Sequence, residues 1–300
     1  MLACPAVTLL ESIVLGVVQG LTEFLPISST AHLRIVPALF GWQDPGAAFS
    51  AVIQIGTVLA VLIYFRKDLW AMVTGFLRGL RAGRPLEDPH ARLGLFIVAG
   101  TIPVVAGGLL FQKAIKSELR SLYVIAGSLI VVALAMAWAD RRATLAKVRD
   151  GSVSFGDAVF VGVAQMFALI PGVSRSGSTI AAGLMRGLSR AEAARFSFLL
   201  SIPAVAGAGL KELLDLRKEG GLEGDGVMLV AVGTLVSFVV GYAAIAGLIA
   251  FLKRRSVMVF VGYRIGLALL LLGLLASGKL AHLDAPVAAN PQAAPVAQAP

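Results

Sequence analysis

Residues 19–32 read Gln19-Gly20-Leu21-Thr22-Glu23-Phe24-Leu25-Pro26-Ile27-Ser28-Ser29-Thr30-Ala31-His32, and residues 171–179 read Pro171-Gly172-Val173-Ser174-Arg175-Ser176-Gly177-Ser178-Thr179. Each interrupts a longer apolar stretch, near 8–40 and 155–188, with proline, hydroxyls and charge at its centre. Neither stretch can span a bilayer as a simple helix. Around them lie six apolar runs that make good spanning candidates, near 47–65, 93–111, 121–139, 194–210, 227–252 and 257–276. Each is close to the ~20 residues that cross a hydrocarbon core. Composition agrees: of 300 residues 58% are hydrophobic and 14% charged, and mean hydropathy is +0.87. Soluble chains carry about 25% charged residues, so a soluble fold could not cover this much apolar surface. The sequence predicts an all-α polytopic membrane protein, six transmembrane helices plus two re-entrant helix pairs, in one integral domain over residues 1–276.

The formal net charge of +9 would suit nucleic acid in a soluble protein. Here the basic residues fill short gaps between apolar runs, where anionic lipid and topology account for them, and no nucleic-acid partner is expected. A single cysteine, Cys4, excludes a disulfide framework and any multi-thiolate metal site. The opening MLACPAVTLL lacks a basic start, and Glu11 interrupts it before the apolar Ser12 to Val18, so a cleaved signal peptide is not expected. Residues 219–225, acidic and glycine-rich, read as a solvated loop. Residues 282–300, rich in Ala, Pro and Gln, read as a disordered tail.

The two broken stretches are related to each other. Gly16-Val17-Val18-Gln19 lines up with Gly162-Val163-Ala164-Gln165, and a hydroxyl-rich proline turn follows each. Downstream, Phe49-Ser50 and Ile55 match Phe196-Ser197 and Ile202 at an offset of 147. Two halves, about 8–139 and about 155–276, thus repeat one plan. Each holds one broken segment and three spanning helices; three is odd, so the second half is expected to be inverted in the membrane. Basic residues test this orientation. With the 66–92 loop facing the cytoplasm, that side collects Arg66, Lys67, Arg78, Arg81, Arg84, Arg92, Arg141, Arg142, Lys147, Arg149, Arg186, Arg190, Arg195, Lys253, Arg254 and Arg255. The opposite side holds Lys113, Lys116, Arg120, Lys211, Arg217 and Lys218. A bias of 16 to 6 follows the positive-inside rule.

Irregular backbone at membrane depth is tolerated only where protein buries it or it lines a polar cavity, so broken segments in matching positions of two halves mark a site. Gln19 and Glu23, four apart, share a face of a helix that Pro26 must end. A carboxylate at the centre of a spanning helix costs about 2.5–3.5 kcal/mol, so Glu23 needs a polar partner. Ser29 and His32 lie three apart, and an imidazole on that spacing could reach the hydroxyl. In the second turn, glycines and hydroxyls precede a helix whose N–H groups suit an anion, and the fork of Arg175 fits phosphate oxygens. Arg264, inside the last apolar run, is expected to face a polar cavity. Taken singly, Ser28 and Ser29 also read as helix caps, Gly172 and Gly177 as packing glycines and Gln19 as a packing amide. Glu23, His32 and Arg175 have no such inexpensive structural reading. His90, His282, Gln54 and the tryptophans receive no role.

The Gln-x-x-x-Glu helix running into Phe-Leu-Pro-Ile-Ser-Ser-Thr-Ala-His, with Pro-Gly-Val-Ser-Arg-Ser-Gly-Ser-Thr in the second half, resembles the undecaprenyl-diphosphatase family, the bacterial bacitracin-resistance phosphatases. The resemblance covers residues 8–276. It implies six spanning helices and two re-entrant pairs in inverted repeat, in the bacterial cytoplasmic (inner) membrane, with the site opening to the periplasmic face. It implies removal of the terminal phosphate from undecaprenyl diphosphate, yielding the lipid carrier of peptidoglycan and other envelope polymers. It also implies a divalent cation, Mg²⁺ or Ca²⁺, held by Gln19 and Glu23, and it is compatible with a homodimer. The family allows Glu or Gln at the first acidic position, and Gln19 leaves this chain one carboxylate there.

On this reading Glu23, Ser29, His32 and Arg175 form the catalytic set. Ser28, Ser174, Arg175, Ser176, Gly177 and Thr179 hold the diphosphate, with Arg264 as a further clamp. Ser29 activated by His32 is the preferred nucleophile; direct attack by His32 and a water activated by Glu23 stay open. The alternative function is a lipid-linked phosphate transporter or flippase, because inverted repeats with broken helices are also a transporter architecture.

Overall fold

The computed structural model describes residues 7–43, 46–111, 121–145, 153–218 and 226–280. Cys4, Lys113, Lys116, Arg120, Lys147, Arg149, the 219–225 segment and the 282–300 tail lie outside the described residues. Among the described residues the chain is helical: α1 Leu9–Phe24, α2 Ser29–Phe40, α3 Gly46–Tyr64, α4 Arg66–Arg81, α5 Pro89–Leu110, α6 Leu122–Leu145, α7 Phe155–Met166, α8 Arg175–Met185, α9 Arg190–Lys218, α10 Gly226–Leu252 and α11 Met258–Ala276. The six predicted runs fall on α3, α5, α6, α9, α10 and α11. Of the described helices, α5, α6, α9, α10 and α11 are each long and apolar enough to cross a membrane, and α3 joined to α4 through a 68° bend makes a sixth candidate. The protein is therefore a multi-pass membrane protein. Ile102, Leu109, Val131, Leu235 and Leu269 are all at least 60% exposed, as lipid-facing side chains must be.

The 66–92 segment differs from the loop expected. It contains α4, whose Trp70, Val73, Leu77 and Leu80 form an exposed apolar stripe while Met72 and Gly75 pack inward. Lys67, Arg78 and Arg81 flank the stripe. Charge density concealed a helical period that suits the membrane–water interface.

The two halves start alike. Thr8 caps α1 and Ser154 caps α7, and in each the residue three positions on, Glu11 or Asp157, returns a carboxylate to the capping N–H. Both helices then stop before a proline. Leu25 (φ −63°, ψ 136°) and Ile170 (φ −80°, ψ 121°) are extended, the conformation a following proline imposes. After each turn a serine caps the next helix: Ser28 accepts from Ala31 N and Ser174 from Gly177 N. Both serines have positive φ, 77° and 69°, and they are the only non-glycine residues described that do. Such backbone costs about 1–3 kcal/mol and persists only where the surroundings over-determine it. Ser28 and Ser174 set the true register between the halves, and Gln19 and Gln165 fall on the same offset.

Packing follows the same plan, with α1 against α10, α7 against α5, α3 against α9 and α6 against α11. Small residues allow the first two approaches. A Cβ on Gly16 would lie 2.7 Å from the Gly233 oxygen, and one on Gly162 would lie 2.2 Å from the Gly100 oxygen. We expect Gly162→Ala to push α7 off α5 at a cost of about 1–3 kcal/mol, seen as a lower unfolding temperature in detergent. Gly247→Ala, where a Cβ meets nothing within 4 Å, should leave that temperature unchanged.

At one end of the bundle, the buried Asp157 and Asp140 and the half-buried Asp68 collect the arginines that follow α8. Asp157 bonds Arg186 at 2.8 Å, Asp140 bonds Arg190 at 2.5 Å and Ser256 at 2.6 Å, and Asp68 on α4 pairs with Arg195. Three charges read from sequence as topology signals thus also tie α4, α6, α7 and α9 together.

Candidate functional site

The two proline turns meet inside the bundle. Ser176 Oγ of the second turn donates to the Leu25 carbonyl of the first at 3.1 Å. Arg264 of α11 is completely buried and binds both: Nη1 to Pro26 O at 3.2 Å, and Nη2 to Gly172 O at 2.9 Å and Val173 O at 3.1 Å. Nη2 also contacts Ser128 O of α6 at 3.3 Å, and Nε donates to Leu129 O of the same helix at 3.2 Å. The phosphate-clamp expectation for Arg264 is corrected here. Its guanidinium takes three turn carbonyls, Pro26 O, Gly172 O and Val173 O, that the breaks in the helices left without helical partners, and it also contacts two carbonyls inside α6.

Glu23, the last-turn carboxylate of α1, is 5% exposed and sits where the turns touch. Its Oε1 accepts from Gln54 Nε2 at 2.8 Å and Arg175 Nη2 at 3.2 Å; its Oε2 accepts from Ser29 Oγ at 2.7 Å and Gln19 Nε2 at 3.0 Å. A carboxylate offers about four acceptor positions, and all four are filled. Ser29 and Arg175 each open the helix after a capping serine, so they hold equivalent places in the two halves and converge on the same acid.

Arg175 is anchored by Glu23 and by the Ser197 carbonyl, at 3.3 Å from Nη1. Its Nε is buried without an acceptor. Buried donors are normally satisfied, so this N–H is available to an oxyanion. The first-turn N–H groups of α2 and α8 add positive ends of helix dipoles beside it.

The other expected phosphate ligands mainly hold the turns. The Ser28 hydroxyl lies 3.1 Å from Thr30 Oγ1, and that of Ser174 lies 3.2 Å from Ser176 Oγ. Gly177 gives its N–H to Ser174 Oγ at 3.1 Å. Thr179 bonds Arg175 O at 2.7 Å and Ser197 Oγ at 2.6 Å, fixing the start of α8 against α9.

The expected Ser29–His32 contact is not formed. His32 Nδ1 lies 2.7 Å from Ser28 O and Nε2 lies 2.7 Å from Tyr263 OH, so both ring nitrogens are engaged away from Ser29. Ser29 turns to Glu23 instead. The sequence reading missed Gln54 and Tyr263. Gln54 carried a signal, because it lies one residue before Ile55 in the matched Phe49–Ile55 segment. Tyr263 carried only its adjacency to a buried arginine.

The Gln19–Glu23 pair does not fit a divalent cation as these side chains are arranged. Mg²⁺ and Ca²⁺ take about six or more oxygen ligands, for Mg²⁺ commonly one or two carboxylates with waters and substrate phosphates; here both oxygens of Glu23 are already taken by donors, two amide nitrogens, a hydroxyl and a guanidinium. Reversing either amide would aim its oxygen at the carboxylate. Among the described residues no three His, Cys, Asp or Glu side chains cluster. Glu23 is compensated by hydrogen bonds and by Arg175.

These observations define a class: a multi-pass helical membrane protein with an ion-paired polar centre held between two broken helix pairs. A sequence profile described as "Bacitracin resistance protein BacA" matches residues 12–270. The chain is 54% identical over 279 residues to the undecaprenyl-diphosphatase of Chlorobium phaeobacteroides (strain BS1), covering 91% of this chain and 99% of the relative. It is 55% identical over 284 residues to the undecaprenyl-diphosphatase of Myxococcus xanthus (strain DK1622), covering 92% of each. It is 50% identical over 281 residues to that of Chloroherpeton thalassium, covering 91% of this chain and 98% of the relative. The chain belongs to the bacitracin resistance protein BacA family.

Proposed function

We propose that this protein hydrolyses undecaprenyl diphosphate to undecaprenyl phosphate and inorganic phosphate, regenerating the lipid carrier of envelope polymers. The observation that carries this reading is the 3.2 Å pairing of Glu23 with Arg175 across the two turns, with a serine hydroxyl on the same carboxylate and a buried guanidinium N–H still to be satisfied. Attack on a phosphoanhydride needs a nucleophile beside a base, and fixed positive charge for the phosphoryl oxygens.

Arg175 and the first-turn N–H groups of α2 and α8 hold the terminal phosphate. Ser29 attacks its phosphorus while Glu23 takes the hydroxyl proton. The bond to the bridging oxygen breaks and undecaprenyl phosphate leaves; water then cleaves the phosphoserine and frees inorganic phosphate. His32 borders the apolar cavity through which a lipid could approach. The matched caps, turns and packing of the halves support an inverted repeat, and the basic-residue bias supports a site facing the periplasm, in a bacterial cytoplasmic membrane, as a monomer or homodimer.

Purified protein in detergent should release phosphate from undecaprenyl diphosphate, and Arg175→Ala should lower that rate by about 10²–10³-fold, as for loss of one preorganised charge-stabilising donor. Unaltered release by the variant would move the site elsewhere.

A further inference from the structure

We infer that Tyr263 gates His32: its hydroxyl caps the imidazole Nε2 in the resting protein, and on arrival of a lipid diphosphate it turns to donate to a phosphate oxygen instead, leaving the Nε2 lone pair free. This rests on the reading above, in which substrate reaches the two turns. A carbonyl oxygen can only accept, so the 2.7 Å contact from Nδ1 to Ser28 O places the proton on Nδ1. In the neutral ring Nε2 is then the acceptor, and the Tyr263 hydroxyl at 2.7 Å donates into its lone pair. The rings lie nearly parallel, 14° apart with centroids 5.6 Å apart.

The surroundings make this contact movable. His32 is 7% exposed, whereas Tyr263 is 47% exposed. Both line a cavity of about 390 Å³ between α1 and α11, otherwise walled mainly by apolar side chains such as Val17, Leu21, Leu25, Val259 and Phe260. Thr22, also on this cavity, spends its hydroxyl on Val18 O at 2.7 Å. An anionic head group entering along these walls therefore meets the tyrosine–imidazole pair as its polar end. Arg264, the next residue, is pinned by five carbonyls, so the backbone of α11 stays fixed there and the tyrosine side chain is the part able to swing. Because Ser28 O holds the tautomer independently, removing the tyrosine hydroxyl exposes the Nε2 lone pair without reorienting the ring.

The test is chemical reactivity. Diethyl pyrocarbonate should modify His32 roughly two- to tenfold faster in Tyr263→Phe than in the parent, the range expected for loss of one net hydrogen bond. The rate at His90, read by peptide mass spectrometry in the same sample, should not change. Equal rates at His32 would overturn the cap. In the unmutated protein labelled with ¹⁵N-histidine, His32 should show the Nδ1–H tautomer, and farnesyl diphosphate should shift its Nε2 resonance. An Nε2–H tautomer, or no shift at saturating farnesyl diphosphate, would also overturn the proposal. Protein that meets both tests yet releases no phosphate would remove the hydrolase reading and leave the gate standing.

Discussion

Phosphate release is expected to fall by about 10²–10⁴-fold when Glu23 is replaced by glutamine, the range for loss of a positioned general base. The amide keeps the shape of the carboxylate but changes what it offers. Gln54, Arg175, Ser29 and Gln19 all aim donors at Glu23, so one of the two carboxylate oxygens would become an NH₂ group facing donors. Ser29 would lose its proton acceptor, and Arg175 would lose the charge that orients it. Glu23→Ala should do further damage. Removing one partner of a buried ion pair typically costs about 3–5 kcal/mol, so that variant should also unfold at lower temperature. Assaying both variants separates chemistry from folding. Glutamine with near-parental turnover would exclude Glu23 as the base.

The other large effect is expected at Arg264. Its replacement by methionine fills comparable space but strands the turn carbonyls of Pro26, Gly172 and Val173 in the interior and removes the tie to α6. Each unsatisfied buried group costs about 1–3 kcal/mol, and three of them take a large share of the about 5–15 kcal/mol that holds an ordinary domain folded. Arg264→Met should therefore give little monodisperse protein after extraction. Lysine should rescue poorly, because three donors on a point charge cannot reproduce a planar fork that binds carbonyls on three segments. If Arg264→Met instead purifies normally and loses only turnover, the arginine is the phosphate clamp that the sequence suggested.

Much of this architecture was legible beforehand because bilayers leave strong marks on sequence. Twenty apolar residues have few other uses, and a proline amid several hydroxyls and a charge marks a break, whereas the lone Pro103 and Pro203 stay inside α5 and α9. Those constraints located α3, α5, α6, α9, α10 and α11 and both turns. They also brought Glu23 and Arg175 together, since ionisable groups in paired breaks need each other. What escaped the sequence was partner choice. Ser29 and His32 share a helical face, yet the φ of 77° at Ser28 places its carbonyl under the imidazole and turns the Ser29 hydroxyl toward Glu23. Arg264 looked available because a one-dimensional reading cannot see that two broken helices deliver spare carbonyls to one point. The α4 helix was hidden because its basic residues counted as loop charge.

Ser29 and Arg175 open equivalent helices and contact one carboxylate, while Leu169 stands in the second half where Glu23 stands in the first. Two identical half-length chains could not build this centre, since their shared axis would set serine against serine or arginine against arginine, and acid against acid. Joining the halves in one gene frees each to mutate alone, so that one supplies the reacting groups and the other the countercharge. Separately expressed halves should accordingly regain activity only as a mixture of the two kinds.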